Sequence, residues 1–300
     1  MRLTSTLKQY ANHHDLVGIS PNTLQAIVNN RPGYTVEKAH DFIQFYKQIQ
    51  IELLQHNVIK NNEFTQWFSQ GEFTLSQLKN FIVQFSVFSN LFIVAQLQKT
   101  INADSLETMH ASKEILVNEL GVVFNKHKSQ QSSNEIVSGE GTVEGGVFHF
   151  SAAHFEWLYQ LAKSIGLEFS QIGKRRHGTD STLFYCDELL RLYASEDYTV
   201  AQAASFAVEN WAAAGFWCEL IHGLNNYKKN NHAKFPIFFF TYHDKIESQH
   251  AQHTLDELEE VYFTNEIDEA EFIKSGNEML DGVDAFWNGL NQQRLTDSLS

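Results

Sequence analysis

The stretch Thr74-Leu-Ser-Gln-Leu-Lys-Asn-Phe81-Ile-Val-Gln-Phe85-Ser-Val-Phe-Ser-Asn-Leu-Phe92 is apolar at nearly every angle around a helix. Thr74 is of the residue type that caps a helix start, because its hydroxyl can accept from a backbone N–H of the first turn. Leu78, Phe81, Ile82, Phe85, Phe88 and Phe92 then recur at helical intervals. A helix with no polar face to give to water belongs inside a bundle of other helices. The fold class expected is therefore all-α, a helical bundle.

Working outward, the preceding seventy residues read as two or three helices. Ser20-Pro21 and Thr35 look like helix starts, Gly33 lies between them, and Phe42, Ile43, Phe45, Tyr46, Ile49 and Leu53 recur at helical spacing. Beyond the bundle helix, Asp104 or Ser105 can begin the next one, with Ile115, Leu116, Glu119, Val122 and Val123 on it. From about Asn125 to Gly146 the chain is polar, Gly-containing and without period, which predicts a loop. Loops longer than about 12–15 residues are usually functional or disordered, so this one reads as either a lid or a surface loop. Helical patterning returns at Phe148 and stops near Gly166. Further helices are expected over 181–193 and over 199–222, the latter ending at Gly223. A polar connection over 225–234 and Pro236 lead to a long final helical pair. Residues 1–60 are read as an N-terminal helical extension, completing the core or making a homodimer contact, and residues 61–300 as the main domain.

Composition bounds the function. The 300 residues are 43% hydrophobic with only 3 prolines and 16 glycines, enough for a large core of long helices. The 22 basic and 36 acidic residues give a net charge of −14, which repels nucleic acid and anionic membrane surfaces. The most apolar run, 81–97, is interrupted by Gln84, Ser86, Ser89 and Asn90, so no membrane span is expected. Cys186 and Cys218 stand far apart with no Cys-x-x-Cys spacing, which argues against a zinc ribbon or disulfide framework and fits a reducing, cytoplasmic setting.

The strongest local chemical signal is His243-Asp-Lys-Ile-Glu247-Ser-Gln-His250-Ala-Gln-His253. At 100° per residue Glu247 lies about 40° from His243 and His250 about 20° to the other side, so the three form one stripe, with His253 about 80° away. Alone, such a stripe fits a solvated face as well as a metal site. Three other ionisable residues are flanked at helical offsets by apolar ones: Glu119, His154 and Glu209. An unpaired buried carboxylate costs several kcal/mol and must be neutralised, paired or bound to a cation. No Lys or Arg lies one turn from Glu119 or Glu209. Three carboxylates and three imidazoles without a thiolate suit iron or manganese better than structural zinc. Helical bundles hold two-metal carboxylate sites by inward projection from facing helices.

In order and spacing these residues resemble the haem-oxygenase-like di-iron oxidases, related to the TenA-like and PqqC-like helical superfamily. The resemblance runs from about Glu63 to the mid-260s. It is carried by Trp67-Phe-Ser-Gln-Gly-Glu-Phe-Thr-Leu-Ser-Gln-Leu78, Asn118-Glu119-Leu-Gly121, His154-Phe-Glu-Trp-Leu158, Glu209 upstream of Gly223-Leu, and His243-x3-Glu247-x2-His250. It implies a haem-oxygenase-like helical bundle with Glu119, His154, Glu209, His243, Glu247 and His250 as ligands of two Fe(II) ions per chain. Glu247 stands where many relatives have Asp, and the 125–146 insertion separates Glu119 from His154, so that pairing rests on its flanks, with His127 and His149 as substitutes. The activity implied is O2 activation for oxidation of a small amine, amino acid or carboxylate, by N-oxygenation or C–C bond cleavage. Two other readings stay open at this level: a metal-independent enzyme of the TenA or PqqC kind on the same scaffold, and a non-enzymatic helical interaction protein.

Overall fold

A computed structural model describes residues 5–124 and 146–297, without the side chains of residues 5, 107, 124, 246–254 and 297. The chain opens with α1 (Ser5–His13), α2 (Pro21–Val28), α3 (Val36–Gln48), α4 (Asn57–Lys60) and α5 (Glu63–Phe68). The central α6 (Leu75–Ile101) and α7 (Leu106–Glu119) lead into two short strands, β1 (Val122–Phe124) and β2 (Gly146–Phe148). Then come α8 (His154–Ser164), α9 (Asp180–Glu188), α10 (Tyr198–Ala212), α11 (Phe216–Asn230) and the long pair α12 (Phe238–Thr264) and α13 (Glu269–Asp297).

The helix starts follow their side chains. Thr74 Oγ1 accepts from the Gln77 N–H at 3.2 Å while Gln77 Oε1 accepts from the Thr74 N–H at 2.9 Å, a reciprocal capping box that fixes the start of α6. Ser105 and Thr108 do the same for α7. As its sequence requires, α6 is wrapped on its sides, with Phe81, Ile82 and Phe85 fully buried. Among the described residues it is the one helix long and apolar enough to cross a membrane by length and composition, and half of its most apolar window is buried against other helices. The N-terminal helices share this core: Tyr34 stacks on Phe263 of α12 at 5.0 Å, and Phe45 meets Phe272 of α13 edge-on at 5.3 Å.

Four expectations need correction. The helix expected over 199–222 is two, broken at Gly215, whose φ of 101° suits only glycine. Gly223 does not end a helix: it is buried inside α11, where a Cβ would run into the Phe68 backbone, so its role is close packing of α11 on α5. The polar stretch after it continues the helix to Asn230. Phe148 does not begin a helix but ends β2, which pairs antiparallel with β1 in the register Val122–Phe148, Val123–Val147 and Phe124–Gly146. The remainder of the polar insertion, residues 125–145, lies outside the described residues, and with it the lid expected there.

The chain runs on without a break from α3 and from α9 into single π turns, Ile49–Leu53 and Leu189–Tyr193. The second brings Tyr193 against α6, where its hydroxyl donates to Gln96 Oε1 at 2.6 Å. Insertions of this kind recur where a helix must re-aim a side chain.

Candidate metal centre

Glu119 is the last residue of α7 and His154 the first of α8, although 34 positions separate them in sequence. What joins them is the residue pair that closes the insertion. Gly121 sits just past the helix end with φ 104°, a left-handed stop. Its carbonyl accepts from the His149 N–H at 2.8 Å, and a Cβ on Gly121 would collide with the His149 carbonyl. The β1–β2 ladder continues that closure, so the two helix ends arrive side by side. His149 itself is exposed and serves the turn, and His127 lies outside the described residues.

The expected reason for Glu119 being buried was wrong in one respect. Ile115 is exposed, and Val122 and Val123 are not on the helix, because α7 stops at Glu119. On β1 their alternation turns Val122 in and Val123 out. Likewise Phe150 precedes α8 and is exposed, whereas Trp157 stacks on His154 at 4.8 Å and Leu158 is fully buried.

Glu119, His154 and His243 each bring one donor atom to a common point, all within 4.8 Å of one another. His154 is 2% exposed and Glu119 14%. His154 Nδ1 lies 2.9 Å from Glu119 Oε1, yet neither ring nitrogen of His154 makes an aligned hydrogen bond among the described residues. A buried imidazole left that way is costly. Two donors about 2.1 Å from one first-row ion, at right angles about it, stand about 3 Å apart. The His154–Glu119 pair has that spacing and lacks hydrogen-bond alignment, which fits a pair that shares a third partner.

His243 is held differently. Its Nδ1 is 2.7 Å from the Phe239 carbonyl one turn earlier. A carbonyl only accepts, so Nδ1 carries the proton and Nε2 is the nitrogen with a lone pair to offer. Trp217 stacks on the ring at 5.0 Å and 19°, and His154 meets it edge-on at 4.9 Å. Tyr242 packs on His154 at 5.0 Å and donates to Asn118 Oδ1 at 3.3 Å, tying α12 to the end of α7.

Beside the cluster is a cavity of about 90 Å³ lined by Phe88, Phe92, Glu119, Glu209, Trp211, Trp217, Phe239 and His243, among others. Glu209 therefore faces the same space as Glu119 and His243, from α10. Glu247 and His250 follow His243 on α12 by four and seven residues, and their side chains lie outside the described residues.

Glu209 also lines a second, open cavity of about 300 Å³ with Lys99, Ser112, Gln202, Ser205 and Glu257. Lys99 is the residue that reasoning along the chain misses. No cation lies within a turn of Glu209, but Lys99 approaches it across helices and contributes to its electrostatic surroundings. Local sequence does not mark it, since Lys99 lies in the last turn of α6 beside Gln98 and Thr100, an ordinary place for a cation. Burial holds the Lys99 ammonium below the usual lysine range, with Glu257 and then Glu209 opposing the shift. Burial also raises the Tyr193 hydroxyl well above its ordinary range, reinforced by Glu209, Glu257 and Glu119. Trp217 and the Phe239 carbonyl were not foreseen either, because contacts between helices leave no mark in local spacing.

No family profile matches the chain, and no curated protein matches it. Solved structures do. A domain of unknown function with a haem oxygenase-like fold from Shewanella denitrificans OS217 superposes with a TM-score of 0.55 at 12% identity, covering 86% of this chain and 94% of that one. A CADD-like protein of unknown function from Nostoc punctiforme PCC 73102 gives 0.53 at 15% identity, covering 87% and 97%. A TenA homolog from Pseudomonas syringae pv. tomato DC3000 gives 0.55 at 11% identity, covering 85% and 93%. The chain shares the helical fold of these structures, one of them described as haem oxygenase-like, and it carries a Glu/His/His cluster able to hold a metal ion.

Proposed function

We propose that the protein is an iron-dependent oxidase or oxygenase that uses O2 to oxidise a small amine, amino acid or carboxylate, by N-oxygenation or C–C bond cleavage. Glu119, His154, Glu209 and His243 hold the metal from four different helices, and Glu247 and His250 complete a six-residue set on α12, with manganese as the alternative metal. The observation that carries the reading is His154, buried with neither ring nitrogen in an aligned hydrogen bond among the described residues and with Nδ1 2.9 Å from a carboxylate oxygen. Bound iron would supply the activation of O2 and the redox equivalents.

The chain's own residues do the rest. The Phe239 carbonyl fixes the His243 tautomer, and Trp217 and Trp157 hold the two rings flat against an aromatic wall. Three carboxylates nearly balance the charge of two divalent ions, which keeps a desolvated site affordable. Phe88, Phe92, Trp211 and Phe239 line the adjoining cavity with apolar surface. Its small size selects a small reactant.

The test is anaerobic loading with ferrous iron followed by desalting and metal analysis. About two irons per chain are expected, with an O2-dependent absorbance change, and with retention reduced in His154→Ala and His243→Ala. No iron uptake together with an unchanged melting temperature would falsify the proposal. The His154–Glu119 proximity also suits an acid–base pair of a metal-independent enzyme; activity that survives chelation would favour that reading.

A further inference from the structure

The open cavity of about 300 Å³ is walled by three carboxylates, Glu114, Glu209 and Glu257, against one amine, Lys99. That excess of negative charge turns anions away and favours any product that keeps a positive charge inside the cavity. Lys99 Nζ lies at the wall, where it donates to Ser205 Oγ at 2.7 Å and stands 4.1 Å from the Tyr193 ring centre. Among the described residues no carboxylate is within ion-pair distance of it, and Glu257 and Glu209 act through space.

A lysine becomes a nucleophile when its surroundings favour the neutral amine and no ion pair fixes it. Burial pulls Lys99 that way, against Glu257 and Glu209. Glu257, which reaches solvent at the cavity margin, moves in the opposite sense. Desolvation raises its carboxyl above the ordinary range, with Lys99 opposing and Glu209 and Glu260 adding to the rise. A lowered base and a raised acid on one cavity wall make a proton-transfer site. The pair suits imine formation, in which the amine must be neutral to attack and the departing oxygen must be protonated to leave as water.

We infer that Lys99 captures a small, uncharged aldehyde or ketone as an imine in this cavity, with Glu257 as the proton donor. The nitrogen lone pair attacks the carbonyl carbon, and a proton passes from nitrogen to the former carbonyl oxygen, giving a carbinolamine. Its hydroxyl then leaves as water with the proton of Glu257, while the nitrogen lone pair closes the C=N bond. One amine, one carbonyl and one carboxylic acid give one protonated imine, one water and one carboxylate, with no change of oxidation state. The cation so formed faces the Tyr193 ring and the carboxylates that repel an anionic substrate.

The experiment treats the iron-free, full-length protein at neutral pH with butanal and sodium cyanoborohydride, which reduces the imine to a permanent butyl label, and maps the labelled lysines by peptide mass spectrometry. Lys99 should label about tenfold faster than the exposed Lys47. In urea the two should label alike, because the fold makes the difference. The charged aldehyde 4-oxobutanoate, of the same chain length, should label Lys99 about tenfold more slowly, relative to Lys47, than butanal does. Equal labelling of Lys99 and Lys47 in the folded protein, or a preference that survives urea, overturns the capture. Equal preference for 4-oxobutanoate overturns the choice of an uncharged partner. The capture needs no metal, so iron uptake and Lys99 labelling succeed or fail separately.

Discussion

At the residue scale the site is defined by how each imidazole is satisfied. His243 has a carbonyl that fixes one nitrogen, whereas His154 has two buried nitrogens without an aligned partner among the described residues. Function and stability therefore oppose each other at His154. Replacing it with Met removes an unsatisfied buried group, which costs about 1–3 kcal/mol, and keeps an apolar surface against Trp157. The iron-free His154→Met protein should melt no lower than wild type, while its iron affinity falls at least tenfold. A large loss of stability in the iron-free variant would show that His154 is satisfied structurally after all. Cys186 offers a second test. Burial pushes its thiol up to about 12, from an ordinary 9.0. The folded chain then keeps a proton that the unfolded chain releases above pH 9, so stability present below pH 9 is lost between about 9 and 12, by at most about 1.4 kcal/mol per pH unit. Melting temperatures from pH 8 to 11 should fall less steeply in Cys186→Ala. Buried Tyr185 and Tyr193, also raised, add to the slope in both proteins.

At the scale of elements, glycines set the distances between functional helices. Gly121 stops α7 at Glu119 and takes the His149 N–H, so that α8 begins beside it. Gly121→Ala places a side chain at φ 104° and against a carbonyl, a combination expected to cost about 2 kcal/mol or more. Because it separates Glu119 from His154, it should also weaken iron retention, measured by metal analysis on protein that still melts cooperatively. Gly223→Ala acts elsewhere: it forces α11 away from the Phe68 backbone and should cost about 1–3 kcal/mol in urea unfolding. Any effect on iron retention would have to travel through Trp217, one and a half turns earlier on the same helix, so iron retention at Gly223→Ala should change less than at Gly121→Ala.

At the scale of the whole molecule, the proposed metal centre would draw on α7, α8, α10 and α12. A ligand that binds only the assembled fold stabilises it by mass action, by about 2.7 kcal/mol at a hundredfold excess over its dissociation constant. Ferrous loading should therefore raise the melting temperature by several degrees, and chelation should reverse the rise. A shift unaffected by replacing His243 would place the bound iron elsewhere. The net charge of −14 favours the approach of metal cations over anions.

Much of this was legible along the chain, and the reasons are physical. The all-round apolar pattern of 74–92 leaves a central helix as its only comfortable state, and α6 is that helix. His154, Glu209 and His243 could be singled out because an ionisable group among apolar neighbours needs a partner whatever the fold, and the structure brings Glu119, His154 and His243 to one point. Periodicity misled where one glycine has two uses: Gly223 looked like a stop and is a close contact, whereas Gly215 is the break. Val122 and Val123 looked like a continued helix because two apolar residues fit either period. Sequence by itself determined which elements must be inside and which residues could not stay there unpaired, since both follow from local transfer energies. Tertiary structure alone decided that Lys99 approaches Glu209, that Trp217 lies flat on His243, and that Glu209 borders two cavities, because those depend on which helix faces pack together.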